Sequence, residues 1–175
     1  MTDCSATLFG GESIGFWVQT IIFFISAIFA GNQLKRLRLQ ERSDDLKQKQ
    51  RATIDAVLAE RKDNQLTQSR QLFAEMKQRN ENFEALGAYP IIQNKVKNKA
   101  ILDILNNYEF MSAGIRENAF DEAIYKRMKC SLIIQDWKIL ELYILSLRKQ
   151  TTRESLFTEF EWLAKKWINN PKLSP

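Results

Sequence analysis

Asp136 is the residue whose setting most invites a chemical reading. In "SLIIQDWKILELYILSL" it falls, at helical spacing, among Leu132, Ile139, Leu140, Tyr143 and Leu147, in the middle of an apolar face. A carboxylate in such a place needs a cation, several donors or a proton of its own. It could act as an acid, a base or a ligand contact, or it could be a buried ion pair that fixes helix geometry. A second polar set precedes it. Glu109 and Arg116 stand seven residues apart with Ser112 between them, on one side of a helix. We expect Arg116 to pair with Asp136, and Asn107, Glu109, Arg116 and Asp136 to form one buried polar cluster. The bland alternative is an exposed Glu109–Arg116 pair, contributing about 0–1 kcal/mol.

The rest of the inventory narrows the chemistry. There is no histidine, so His-based triads and His-containing metal sites are excluded. The cysteines are Cys4 and Cys130, too few for a thiolate metal centre, and Cys130 between apolar neighbours reads as a small core residue. None of the glycines (Gly10, Gly11, Gly15, Gly31, Gly87, Gly114) opens a phosphate-cradling loop. We therefore assign no catalytic residue, no metal ligand and no cofactor, and we expect the chain not to be an enzyme. Tyr108, Phe110, Trp137, Trp162 and Trp167 lie near Arg127, Lys129, Lys138 and Lys165, a mixture that can stack on single-stranded nucleic acid. At helical spacing such aromatics are core residues, and we expect no nucleic-acid partner.

Helices must position these residues. "VKNKAILDILNNYEFMSAGIREN" sets Val96, Ala100, Ile104, Tyr108, Met111 and Ile115 on one face, with Lys99, Asp103, Asn106 and Glu117 opposite. After Asn118, Asp121 is placed to cap a helix beginning at Glu122, with Phe120 and Tyr125 at staple spacing. That helix, apolar nearly all round, is the expected centre of the domain. Thr151 and Glu154 have capping-box spacing ahead of Leu156, Phe160, Leu163 and Trp167 on a final helix, with Trp162 pointing elsewhere and Pro171 closing the chain. Upstream, Ile54, Val57 and Leu58 form one apolar group and Leu72, Phe73 and Met76 another, with a break expected at Asp63-Asn64. Asn80–Pro90, containing Gly87 and Pro90, is expected to be a loop. No window alternates as a strand does, so the fold class is all-α: one N-terminal transmembrane helix followed by a helical bundle.

The transmembrane assignment rests on residues 13–34, which contain no ionisable side chain. As a helix rising about 1.5 Å per residue, this run spans a hydrocarbon core about 30 Å thick. Trp17 sits near one end, where indoles favour the headgroup region. All 26 lysines and arginines lie at or beyond Lys35, beginning with Lys35, Arg36, Arg38 and Arg42. A cleaved signal peptide has its charges on the other side of its apolar run. The order here places the N-terminus outside and the bulk of the chain inside, with the basic cluster against anionic headgroups. Cys4 and Cys130 then lie on opposite sides of the bilayer. The net charge of +5 owes much to this cluster. Within the span, Ser26 and Ala30, and Ala27 and Gly31, have the four-residue spacing that lets helices approach closely, and Gln19 could add a hydrogen bond between spans. Leu39, Leu46 and Val57 share a side of the charged helix that comes next, too sparsely for a coiled coil. The expected organisation is a short extracytoplasmic N-terminus (1–12), the span (13–34), a basic juxtamembrane helix (35–50), a cytoplasmic helical domain (51–169) and a tail (170–175).

"RATIDAVLAERKD", "ILDILNNYEFMSAGIREN", "FDEAIYKRM", "DWKILELYI" and "FEWLAKKW" occur in this order. In these segments the chain resembles a bacterial and prophage family, a domain of unknown function often preceded by a single membrane span that varies within such families. The resemblance covers roughly residues 51–168, and Tyr-Glu-Phe…Gly-Ile-Arg with the later Asp-Trp is its most specific part. It implies an all-helical cytoplasmic domain in a bacterium or its phage. It also implies that Glu109, Gly114, Arg116, Asp121, Asp136, Trp137 and Trp162 matter as a set, and it supplies no catalytic residue. The function expected is a tethered protein-interaction module at the bacterial inner membrane, linked by the resemblance to phage exclusion or defence. Its partners would be the bilayer and another protein or a second copy of itself. The alternatives are an oligomeric membrane-permeabilising effector, and a small-ligand sensor or enzyme centred on the buried carboxylate.

Overall fold

The computed structural model describes residues 14–88 and 94–170. The expected N-terminus with Cys4, the Tyr89-Pro90 end of the expected loop, and Pro171 with the tail lie outside these residues. The described residues form six helices and no strand: α1 (Ile14–Lys62), α2 (Asn64–Gln78), α3 (Phe83–Ala88), α4 (Lys95–Arg116), α5 (Glu122–Thr151) and α6 (Thr158–Asn169). The all-α expectation holds. The chain divides into two compact units, Met1–Leu46 and Lys47–Pro175.

Local chemistry explains most boundaries. The expected break at Asp63 is real: its backbone leaves the helical region, and its carboxylate accepts from Leu66 N at 3.0 Å to start α2. Asn82 similarly accepts from Ala85 N at 3.0 Å. That contact opens α3 inside the segment expected to be a loop. Gly87 belongs to this helix because of what it touches. A Cβ there would stand 2.5 Å from the Tyr143 carbonyl oxygen, so its absence lets α3 press directly onto α5. Helix α4 ends with Ala119 N and Phe120 N both donating to Gly114 O, and Asn118 takes the left-handed conformation at φ 59°. Asp121 then caps α5 as expected, accepting from Ile124 N at 2.9 Å.

The expected capping box at Thr151 does not form. Thr151 is the last residue of α5, and its hydroxyl donates to Leu147 O at 2.8 Å. Helix α6 starts seven residues later, after Phe157 at φ 57° with no side-chain cap of its own. The cap comes from another helix: Glu109 of α4 accepts from Glu159 N at 3.2 Å and Phe160 N at 2.8 Å. A carboxylate at a helix N-terminus satisfies orphan donors and complements the helix dipole.

The core of the second unit is built from Ile101, Ile104, Leu105, Tyr108 and Met111 of α4, facing Ile133, Trp137, Leu140, Tyr143, Ile144 and Leu147 of α5. Phe160, Leu163 and Trp167 of α6 close one side and Phe73 and Met76 of α2 another. Two expectations about faces need correction. Val96 is 73 % exposed, because the buried face of α4 begins at Asn98 rather than Val96. In the α1 group only Val57 is buried; Ile54 and Leu58 are exposed, and Thr53 and Glu60 take the inward positions. Thr53 manages burial by donating to Lys49 O at 2.8 Å and accepting from Asp121 N at 2.7 Å.

Candidate functional site

Asp136 is 2 % exposed, as the apolar face around it requires, but Arg116 is not its partner. One carboxylate oxygen accepts from Lys77 Nζ of α2 at 3.0 Å and the other from the Tyr108 hydroxyl of α4 at 2.7 Å. Lys77 reaches in over the Phe73 ring, 4.5 Å from its centroid. Tyr108 is stacked on Phe160, with ring centroids 4.8 Å apart, and Trp137 meets Phe160 edge-on. Burial, then the adjacent Asp136 charge, pushes the Tyr108 phenol well above its ordinary pKa, so it remains a donor. Each oxygen of Asp136 thus has a partner, and one buried carboxylate ties three helices together.

The other members of the expected cluster are dispersed. Arg116 lies at the surface, donating to both oxygens of Glu159 at 2.8 and 3.0 Å and standing 5.4 Å over the Trp162 ring. Glu109 caps α6, as described above. Asn107 accepts from Arg70 Nη2 at 3.4 Å. Their shared sequence neighbourhood placed them together only on a helical wheel. In space α4 turns Tyr108 inward toward Asp136 while Glu109 and Arg116 follow the α6 side. The carboxylate-centred sensor or enzyme loses the cluster on which it rested.

A polar centre that sequence spacing did not single out lies elsewhere in the same unit. Glu60, near the end of α1, is buried, and its Oε1 accepts from Lys129 Nζ of α5 at 2.8 Å and from Arg70 Nη2 of α2. Arg70 stands 5.7 Å over the Tyr108 ring and so links the two centres. Glu60, Arg61, Thr67, Arg70, Gln71, Ala74 and Lys129 line an open groove. Glu60 Oε2, Arg70 Nε and the Tyr125 hydroxyl are buried without a hydrogen-bond partner. Burial, then the Glu60 charge, raises the Tyr125 phenol far above its ordinary pKa, against an opposing pull from Arg70. Glu60 follows Val57 by three residues and Thr53 by seven, on one inward face. That spacing is the signal that could have found it. Among the described residues no three His, Cys, Asp or Glu side chains gather to hold a metal.

Surface ion pairs tie the remaining helices. Burial raises the pKa of Asp103, Glu122 and Glu161, but donors outweigh it and all three end below their ordinary values. The donors are Ser69, Lys99 and Gln65 for Asp103, Lys166 and Trp167 for Glu122, and Lys165 and Arg148 for Glu161.

In the first unit the pattern inverts. Phe23 is 76 % exposed, and Phe24, Ile25, Ile28 and Phe29 are exposed around it. Ser26, Ala27, Ala30 and Gly31 are all exposed, and a Cβ on Gly31 would meet nothing within 4 Å. Lys35, Arg36, Arg38 and Arg42 come next, also exposed. By length and composition α1 can cross a membrane, and it is the one described helix that can. The family described as Domain of unknown function (DUF4760) matches residues 20–167. The chain belongs to the DUF4760 family. No curated protein and no solved structure matches it. The DUF4760 match reaches further back than the resemblance at residues 51–168, taking in most of the apolar run and the whole basic cluster. The Asp136 and Glu60 centres both lie inside the match as well.

Proposed function

We propose that this DUF4760 protein is a membrane-tethered helical module that binds another protein and carries out no catalysis of its own. It would cross the bacterial inner membrane once, with the N-terminus outside and residues 35–175 in the cytoplasm. The observation that carries the reading is the exposed apolar stretch of α1, most of it within the family-matched region, succeeded at once by Lys35, Arg36, Arg38 and Arg42. Water does not tolerate such a surface on a monomer, whereas a bilayer requires it. The lysines and arginines on one flank favour the cytoplasmic side for the helices beyond them. Tethering confines the domain to the membrane surface and raises its effective concentration toward partners there. The link to phage exclusion or defence rests on the family resemblance.

Fractionation of cells expressing the full-length chain tests the reading. The protein should stay with membranes through an alkaline carbonate wash and come out only in detergent, and a C-terminal tag should be shielded from periplasmic labelling. Material freely soluble after lysis, or a tag labelled from the periplasm, would overturn it. A chain lacking residues 1–34 that retained full activity in cells would remove tethering as the mechanism.

A further inference from the structure

The basic cluster is not spread evenly around α1. Gly31, Leu34, Lys35, Arg38, Leu39 and Arg42 line one groove along the helix. The steps from 31 to 35, 38 and 42 are four, three and four residues, which return to the same face. At 3.6 residues per turn Arg36 falls about 130° away from that face. Lys35, Arg38 and Arg42 make no hydrogen bond or ion pair with the described residues. Between them and the exposed Phe29 lies Gly31, where a side chain is missing and nothing fills the space.

We propose that this face of α1 is a binding site for one anionic phospholipid. Lys35 and Arg38 hold the phosphodiester, Arg42 reaches the outer side of the headgroup, and an acyl chain lies against Leu34 in the gap at Gly31. The proposal rests on the transmembrane reading of α1 and deepens it. The dimensions agree. With Gly31 at the edge of the hydrocarbon, Lys35 and Arg38 stand about 6 and 10 Å further out, spanning the headgroup layer. A guanidinium offers a phosphate two parallel donors where an ammonium offers a point charge, which suits Arg38 to the phosphodiester. The apolar walls continue into the span, so the site fits an amphiphile better than a soluble phosphate.

The test uses the full-length protein reconstituted into nanodiscs of phosphatidylcholine containing one-fifth phosphatidylglycerol, with bound lipid counted by native mass spectrometry after stepwise removal of the disc. The wild type should retain one phosphatidylglycerol and no phosphatidylcholine. Arg38→Gln should weaken retention about five-fold, the scale of one basic contact at a membrane surface. Arg36→Gln, an identical loss of charge on the other face, should leave it unchanged. Gly31→Leu, which alters no charge, should reduce it by filling the gap. Equal losses for the Arg36 and Arg38 variants would mean diffuse attraction and overturn the proposal. So would retention of phosphatidylcholine, an unaffected Gly31 variant, or displacement of the lipid by millimolar inorganic phosphate. A protein that does not enter these discs would instead bring down the transmembrane reading, and this site with it.

Discussion

Two carboxylates are buried in the helical unit, and they are handled in opposite ways. Asp136 gives one oxygen to Lys77 and the other to Tyr108, inside a closed packing of aromatic rings. Glu60 gives one oxygen to both Lys129 and Arg70, leaves the other without a partner, and lines an open groove. Burying a charge is costly in either case, and breaking a pair by removing one member leaves the survivor stranded. How far it is stranded depends on access to water. The Asp136 pair is a lock between helices with both oxygens met, whereas the Glu60 centre lines a groove and has unmet hydrogen-bonding capacity.

Lys77→Met gives the largest expected effect. It keeps the apolar stem over Phe73 and removes the cation from a carboxylate that water does not reach. A loss of about 3–5 kcal/mol is expected, read as a fall in the urea midpoint of the full-length protein in detergent micelles. A loss below about 1 kcal/mol, the range of exposed pairs, would show that Asp136 is not locked. Tyr108→Phe comes next. It removes one hydrogen bond to an ionised group and nothing else, which costs about 1.5–3 kcal/mol. Glu60→Gln is expected to cost less, about 1–2 kcal/mol, because the amide keeps an oxygen that accepts from Lys129 and Arg70, and Arg70 retains its Asn107 contact. If the Glu60 variant is as damaging as Lys77→Met, the distinction between closed and open centres fails.

The two centres also differ in how legible they are in the sequence. Asp136 interrupts an apolar face of α5, so its burial could be read off the spacing. Its partners could not, since Lys77 lies in α2, and sequence spacing reports only which residues share a helix face. Arg116 is the nearer cation along the chain, yet it pairs with Glu159. Glu60 gave less contrast, because apolar residues are spread round residues 51–62 of α1, with Ile54 and Leu58 exposed, and only its spacing from Thr53 and Val57 marks the inward face. The α6 start illustrates a further limit: its cap is Glu109, fifty residues upstream of Glu159, and no local motif encodes it. The apolar part of α1, long enough to cross a membrane, was legible because length and composition alone mark it. Helix α3 was hidden by Gly87, which reads as a breaker until Tyr143 is placed against it.

A third class of carboxylate sharpens the contrast. Asp103, Glu122 and Glu161 are partly exposed, and their donors hold them below their ordinary values despite some burial. A group whose folded pKa is depressed contributes stability that is fully present above its unfolded value. That contribution is lost as pH falls through the folded value. The melting temperature should therefore hold steady near neutrality and decline once pH drops below about 4.5, the upper end of ordinary carboxylate values. A triple Asn/Gln variant of these three should flatten the acid limb without touching the Lys77 effect. An unchanged acid limb would show that these pairs are too screened to matter.

The smallest expected effect is the most discriminating. Tyr125 and Tyr108 are both fully buried tyrosines beside a buried carboxylate, yet the Tyr108 hydroxyl donates to Asp136 and the Tyr125 hydroxyl donates to nothing. A buried hydroxyl without a partner costs folding free energy, and removing it recovers that cost. Tyr125→Phe keeps the ring against Trp167 and should leave stability unchanged or raise it by up to about 1 kcal/mol. Should it instead cost as much as Tyr108→Phe, something must already satisfy the hydroxyl, and a water bridging it to Glu60 Oε2 is the economical choice. The Glu60 centre would then be as fully bonded as the Asp136 centre, and its difference would lie only in facing the groove.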